Sequence, residues 1–144
     1  MSVKPTIHVI GTGGTISGAG SSETAAAYES GRVDASELVA KVEGLKQVPK
    51  IQTENLFATG SENLGPVQWK ILARIVEELT KSKDVDGVFL THGTYTLEEA
   101  SFFLDLVCKP SKPVVLTAAM RPSTALSADG PANLFQAILV AASP

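Results

Sequence analysis

The sequence contains little cysteine and little net charge. Its 144 residues include one cysteine, Cys108, and the net charge at pH 7 is −3. A single cysteine excludes an internal disulfide bond and a metal site built from several thiolates. With so small a negative charge, the composition gives no indication of a surface for nucleic acid or for an anionic membrane.

Long hydrophobic runs are also absent. No stretch of 18 apolar residues occurs, which argues against a transmembrane helix. The first residues, MSVKPTIHVIGTGG, lack the basic region, apolar core and cleavage site of a secretory signal. We therefore expect a cytoplasmic protein with no membrane partner, although a processed secreted form is compatible with the same sequence. The composition, 44% hydrophobic and 19% charged, is typical of a globular domain.

Buried strands alternate with amphipathic helices along the chain. Strands are predicted at 6–10, 50–56, 85–90 and 113–119, and helices at 34–42, 66–82, 96–107 and 129–143. The small, polar residues 17–32 predict a long, mobile loop. This order is typical of an α/β fold in which a parallel sheet carries helices on both faces, a doubly wound, flavodoxin-like arrangement.

Helix ends and faces can be predicted in more detail. Thr96 and Glu99 have the spacing of a capping box, as do Asp34 and Glu37, and Asp129 is a candidate cap for the last helix. The apolar stripe of the helix at 66–82, which runs from Val67 to Leu79, is predicted to face the core.

Four polar clusters follow the four predicted strands. They are GTGGT (11–15), TGSEN (59–63), THGTY (91–95) and AAMRPS (118–123). Because ligands bind beyond the carboxyl ends of parallel strands, these clusters are expected to meet at one rim and form a site.

The glycine-rich turn does not match the common phosphate-binding motifs. The sixth position of a dinucleotide fingerprint starting at Gly11 is Ile16, and no P-loop motif occurs. Thr12 and Thr15 flank the glycines, and a threonine hydroxyl can act as an acyl-transfer nucleophile when another group takes its proton. The alternative is that both hydroxyls cap the turn.

Several motifs in register resemble the bacterial-type L-asparaginase family. They are TGGTIS (12–17), GSEN (60–63), THGTYTLEE (91–99) and AMRPSTALSADGPANL (119–134). The resemblance covers essentially the whole chain. It implies that residues 1–144 form the family's N-terminal α/β domain, incomplete at its C-terminal end and without the smaller C-terminal domain. It also implies hydrolysis of the side-chain amide of asparagine, and more weakly of glutamine, without cofactor or metal, in a dimer or tetramer.

The resemblance assigns roles to individual residues. Thr15 would be the nucleophile, at the hinge of a lid formed by about residues 17–32. Tyr28 on that lid would help to activate it, and Thr94 would lie near the amide. Ser61 and Glu62 would hold the α-carboxylate and the α-amino group of the substrate, since a carboxylate pairs favourably with an ammonium.

Two departures from the family pattern bear on activity. The family has an aspartate after THGT, where this sequence has Tyr95. A phenol is uncharged at neutral pH and is larger than a carboxylate, so Tyr95 would occupy space meant for substrate. In the family, the lysine that acts with that aspartate belongs to a segment beyond residue 144. The acidic residue that a neighbouring subunit contributes to each site belongs to the missing C-terminal domain. Alternative interpretations are therefore a catalytically inactive, family-derived binding protein and a fragment of a longer coding sequence.

Three further residues have structural interpretations. His92 is expected to be a packed or hydrogen-bonded histidine at a strand end, and Arg121 and Asp129 are expected to form a structural pair.

The absence of the family's domain interface is expected to leave an exposed sheet edge, and so to promote self-association.

Overall fold

A computed structural model of the chain describes residues 4–47 and 49–143. The strands are β1 (Thr6–Gly13), β2 (Ala19–Gly20), β3 (Tyr28–Glu29), β4 (Lys50–Thr59), β5 (Gly87–Thr91) and β6 (Val114–Thr117). The helices are α1 (Ala35–Ala40), α2 (Pro66–Lys81), α3 (Leu97–Val107) and α4 (Gly130–Ala141). Short 3-10 turns occupy Thr15–Ser17, Glu43–Gln47 and Ser61–Asn63.

Strands β4, β1, β5 and β6 form a parallel sheet in that order. The first strand therefore lies between the second and the third long strands of the chain, and the fourth adds beyond the third. This is the order of flavodoxin-like folds, and it confirms the predicted doubly wound sheet. The chain moves from β1 to one side and then to the other, so the switch point lies between β1 and β5.

Two apolar clusters cover the two faces of the sheet. On one face, α1 and α4 contribute Leu38, Leu134 and Ile138, while on the other α2 and α3 contribute Leu72 and Leu104. Every residue of β5 is buried because helices pack on both sides of it. Continuous apolar strands are expected in such a sheet, which explains why VFL shows no alternation.

The structure differs from the expected loop at residues 17–32. β2 and β3 pair as a short antiparallel ribbon, with Gly20 opposite Tyr28. Small polar residues give no periodic pattern, so the sequence could not indicate a ribbon of two residue pairs.

All three predicted capping interactions are wrong. The Thr96 hydroxyl does not cap α3 but donates to the carbonyl oxygen of Ser61. No side-chain cap is formed by Asp34 on α1 or by Asp129 on α4, and the Asp129 carboxylate instead accepts from the N–H groups of Met120 and Arg121 in the loop before α4. The predicted core stripe of α2 is also narrower than expected. Val67 and Ile71 are 69% and 41% exposed.

None of the helices in the described part of the chain is long and apolar enough to cross a membrane.

Candidate active site

The end of β1 lies directly against the end of β4. The register between them shifts between Gly11 and Gly13, and the backbone N–H of Gly14 then donates to the carbonyl oxygen of Thr59 at 2.8 Å. Gly13 has a φ of 96°, and a Cβ there would lie 2.1 Å from the same carbonyl oxygen. Two strand ends can approach this closely only because position 13 has no side chain.

The end of β5 closes the other side of β1. Thr12 Oγ1 donates to the carbonyl oxygen of Thr91 at 2.8 Å, so this hydroxyl is committed to joining two strands. Beyond it, a Cβ at Gly14 would lie 2.5 Å from the backbone of Gly93. Of the two threonines that flank the glycines, Thr12 has the structural role and Thr15 is left at the rim.

Ser61 is fixed by the start of α3. Its carbonyl oxygen accepts from Thr96 Oγ1 at 2.8 Å, and its Oγ accepts from the backbone N–H of Thr96 at 3.4 Å. A Cβ at Gly93 would lie 2.5 Å from Ser61 Oγ. The turn after β4 and the turn after β5 are therefore held together as one unit.

A cavity of about 270 Å³ opens where these turns meet. It is lined by all six residues that the sequence predicted for the site, namely Thr15, Tyr28, Ser61, Glu62, Thr94 and Tyr95. The remaining lining residues are Gly14, Ser30, Gly60 and Gly93. The cavity lies beside the switch point of the sheet, where ligands of doubly wound folds bind.

Thr15 and Tyr28 are in direct hydrogen-bond contact. Thr15 Oγ1 lies 2.7 Å from the hydroxyl oxygen of Tyr28, and either atom can donate. Thr15 begins the 3-10 turn Thr15–Ser17, and Tyr28 belongs to β3, so the contact joins the rim to the segment that covers it. Tyr28 is 42% exposed, which leaves room for a ligand beside the pair.

The cavity carries negative and neutral polar groups. Glu62 is the one carboxylate among the ten lining residues, which include no lysine and no arginine. A Cβ at Gly60 would lie 2.2 Å from Glu62 Oε1, so the carboxylate folds back over that glycine. The phenol of Tyr95 lines the same cavity and is 77% exposed. This set of groups favours a ligand with a positively charged end.

His92 directly follows β5 and does not line the cavity. The side chain is fully buried, and Nδ1–H donates to the carbonyl oxygen of Gly93 at 2.9 Å. Desolvation by burial lowers the pKa of His92, and the hydrogen bond to Gly93 only partly opposes this. The predicted structural role of His92 is confirmed by this geometry.

The expected pair of Arg121 and Asp129 is joined through the backbone. Asp129 accepts from the N–H groups of Met120 and Arg121 at 2.9 and 3.0 Å, while the Arg121 guanidinium donates to the carbonyl oxygen of Ser127. The loop is therefore held closed by both side chains.

Sequence reasoning missed Ser30 as a lining residue and Thr96 as the residue that fixes Ser61. Ser30 lies in a segment without any pattern, and no local signal could have identified it. Thr96 carried a signal, but its capping-box spacing indicated the wrong partner. Within the described ranges, no group of three or more His, Cys, Asp or Glu side chains could hold a metal ion.

These features define an α/β protein with a polar small-molecule cavity at the switch point of a parallel sheet. The chain belongs to the asparaginase family, because the family model described as "Asparaginase, N-terminal" matches residues 6–144. It is 44% identical over 141 residues to L-asparaginase 2 of Bacillus subtilis, and 45% identical over 138 residues to a glutaminase-asparaginase of Pseudomonas fluorescens. The crystal structure of a probable cytoplasmic L-asparaginase from Campylobacter jejuni superposes with a TM-score of 0.93 at 41% identity.

The matches cover most of this chain but a minor part of each relative. They include 97% of the chain and 38% of the Bacillus subtilis protein, 95% and 38% for the Pseudomonas fluorescens protein, and 97% and 43% for the Campylobacter jejuni structure. The chain therefore spans about two-fifths of the length of these relatives.

Proposed function

We propose that this cavity is the amidohydrolase site of the asparaginase family, for L-asparagine and more weakly for L-glutamine, with Thr15 as the nucleophile and with turnover by the 144-residue chain reduced to background by Tyr95. The observation that carries the proposal is the 2.7 Å contact between Thr15 Oγ1 and the Tyr28 hydroxyl at the mouth of a polar cavity. A threonine needs a neighbouring oxygen or nitrogen to receive its proton before it can attack a carbonyl carbon. Tyr28 would take or relay that proton.

The proposed reaction has two steps. Thr15 Oγ1 attacks the carbon of the side-chain amide, the proton of its hydroxyl passes through the Tyr28 oxygen to the amide nitrogen, and ammonia leaves. Water then adds to the ester on Thr15, which releases L-aspartate and restores the hydroxyl. Thr94, which lines the same cavity, would hold the amide end of the substrate.

The substrate's charged end would lie against Ser61 and Glu62. Glu62 is the carboxylate of the cavity and would receive the α-ammonium, while the Ser61 hydroxyl would bond to the α-carboxylate. Tyr95 would contact the substrate where the family resemblance places an aspartate. Because general acid–base groups contribute about 10²- to 10⁴-fold each, a phenol in that place leaves turnover far below that of the family pattern.

A second candidate function follows from Tyr95. With an exposed phenol in the cavity and no cationic side chain in its lining, the site is also suited to holding an amino acid without hydrolysing it. The chain would then be a binding protein derived from the asparaginase family. Thr15-dependent ammonia release distinguishes the two functions.

The first measurement is ammonia release from millimolar L-asparagine by the 144-residue chain and by Thr15→Ala. We expect both rates to equal the background, and Tyr95→Asp alone to remain there, since the lining holds no lysine to act with a restored aspartate. A robust rate that Thr15→Ala abolishes would establish hydrolysis and exclude the binding-only function.

The second measurement is a calorimetric titration with L-aspartate. The chain is expected to bind it, and the isosteric Glu62→Gln to bind it about tenfold or more weakly, because a charge-assisted hydrogen bond is lost. If the chain neither binds L-aspartate nor releases ammonia, the amino-acid site itself is refuted.

We also propose a domain, a compartment and an oligomeric state for this site. Residues 1–144 would form the family's N-terminal α/β domain, acting in the cytoplasm as part of a homo-oligomer. The Campylobacter jejuni relative is described as cytoplasmic, whereas a Haemophilus influenzae relative, 44% identical over 138 residues, is described as periplasmic. Cell fractionation with an antibody to the native protein tests this assignment.

A further inference from the structure

Two segments far apart in sequence lie against each other. One is the lid segment, residues 17–32, which contains β2 and β3. The other, which we call the latch segment, is residues 122–126 in the connection between β6 and α4. Four hydrogen bonds join them: Ser123 N and Ser123 Oγ to Gly18 O at 2.8 Å each, Gly20 N to Thr124 Oγ1 at 2.9 Å, and Leu126 N to Glu23 O at 3.2 Å.

Gly18 links this contact to the reactive pair. Its carbonyl oxygen accepts both bonds from Ser123, and its N–H donates to the carbonyl oxygen of Thr15 at 2.8 Å. The ring of Tyr28 packs directly on its Cα, because a Cβ there would lie 2.7 Å from Tyr28 Cδ2. The position of the Tyr28 ring over Thr15 therefore depends on where Gly18 is held.

The latch segment is itself held at both ends. Before it, the backbone N–H groups of Met120 and Arg121 donate to the Asp129 carboxylate. Behind it, Asn133 of α4 donates to both Asp129 and the carbonyl oxygen of Ala118. The latch is thus fixed to the sheet and to α4, whereas much of the lid segment is exposed to solvent.

We propose that Ser123 and Thr124 are positioning residues, which hold the lid segment closed so that the Tyr28 hydroxyl meets Thr15. Neither residue is among those that line the cavity. Breaking their bonds would release Gly18 and Gly20, let β2 and β3 move outward, and carry Tyr28 away from Thr15. The closing role stands on the hydrogen bonds alone, and its consequence for catalysis rests on the proposed function.

The test uses Thr124→Val with Thr124→Ser as its matched control. Valine has the shape of threonine but offers no oxygen to Gly20 N–H, whereas serine keeps the oxygen. Amide hydrogen exchange in residues 18–31 is expected to accelerate by about threefold to tenfold in Thr124→Val, as expected for the loss of one hydrogen bond from a local opening equilibrium. Exchange in α2 should be unchanged, and Thr124→Ser should match the unmodified protein.

A second readout follows Tyr28 itself. Acetylation by N-acetylimidazole, quantified by mass spectrometry, reports how freely each phenol is available, and Tyr95 serves as an internal reference because it is 77% exposed. The ratio of Tyr28 to Tyr95 acetylation is expected to rise severalfold in Thr124→Val and to return in Thr124→Ser. Ser123→Ala, which keeps the backbone bond from Ser123 N, is expected to give a smaller rise.

Unchanged exchange and an unchanged ratio in Thr124→Val would overturn the proposal. An equal rise in Thr124→Ser would also overturn it, because the effect would then not depend on the hydroxyl. Neither readout requires turnover, so a failure to release ammonia would count against the proposed function and not against the latch.

Discussion

Gly14 has a backbone conformation that residues with a side chain rarely adopt. Its φ of 78° and ψ of −178° fall in a region populated essentially by glycine alone. A Cβ there would lie 2.5 Å from both the Cα and the N of Gly93, so the space is closed as well. The residue before the proposed nucleophile thus joins the β1 and β5 ends, and Thr15 projects from a rigid support.

Gly14→Ala is expected to destabilise the protein by about 2–4 kcal/mol, since backbone strain adds to a clash with the Gly93 backbone. Chemical denaturation followed by the fluorescence of Trp69 would measure the change in the free energy of unfolding. The matched control is Gly65→Ala, where φ is −128° and no atom lies within 4 Å of the added Cβ. Gly65→Ala should lower the free energy of unfolding by less than about 1 kcal/mol. Equal costs for the two variants would show that the tight approach to Gly93 is not structurally demanding.

His92 is expected to make stability depend on pH. Burial lowers the pKa of His92 below its ordinary value of 6.5 in the folded state, so below pH 6.5 the unfolded chain takes up a proton that the folded chain does not. The free energy of unfolding should therefore fall as pH decreases from 6.5, with a contribution of at most about 1.4 kcal/mol per pH unit. His92→Gln should flatten this slope. An NMR titration in which the His92 ring protonates at or above pH 6.5 would contradict the prediction.

The rim residues of the first three polar clusters could be predicted from the sequence, because parallel strands bring their carboxyl ends together. No residue of the fourth cluster, AAMRPS (118–123), lines the cavity. The sequence could not indicate that the Thr12 hydroxyl joins two strands whereas Thr15 remains at the rim. The partner of the Thr12 hydroxyl lies 79 positions along the chain, in Thr91, and only the three-dimensional register of β1 and β5 identifies it.

At the scale of elements, the long helices and the sheet strands follow from local pattern, whereas their connections depend on tertiary contacts. The spacing of Thr96 and Glu99 indicated a cap, but the Thr96 hydroxyl donates to the Ser61 carbonyl oxygen instead of capping α3. The short ribbon of β2 and β3 has no periodic signal, and the latch segment that holds it follows a different strand. Contacts of this kind appear only once the elements are packed.

Lys112 provides an element-scale prediction. Its ammonium group donates to the carbonyl oxygens of Ser82 and Val85, which lie beyond the C-terminal end of α2 and before β5. A cation at a helix C-terminus is favourable, and its bonds also hold the connection between α2 and β5 beside the start of β6.

Lys112→Met keeps most of the aliphatic stem and removes these bonds, so it is expected to lower the free energy of unfolding by about 1–3 kcal/mol. Lys109→Met, at an exposed position three residues earlier, is the control and should change it by less than about 0.5 kcal/mol. Urea denaturation of both variants measures the difference. A loss in Lys109→Met as large as that in Lys112→Met would assign the effect to general charge rather than to the two carbonyl groups.

At the scale of the whole molecule, each edge strand of the sheet, β4 and β6, is paired on one side only within the described residues. Among the described residues, β6 pairs only with β5, and a cavity of about 450 Å³ lies between β6 and α3. On α3, which packs against β6, Phe102 and Leu106 are each 64% exposed. An open strand edge beside apolar side chains is a surface on which further protein packs.

The 144-residue chain is therefore expected to self-associate at micromolar concentration through this surface, which light scattering measured against concentration would detect. Phe102→Glu with Leu106→Glu should shift the molecule toward the monomer, because burying two carboxylates at an apolar contact is unfavourable. Met120→Glu with Leu126→Glu is the matched control, since those side chains are 75% and 80% exposed on a different loop. A mass that stays monomeric at every concentration would contradict the expectation, and equal dissociation by both pairs would place the contact elsewhere on the surface.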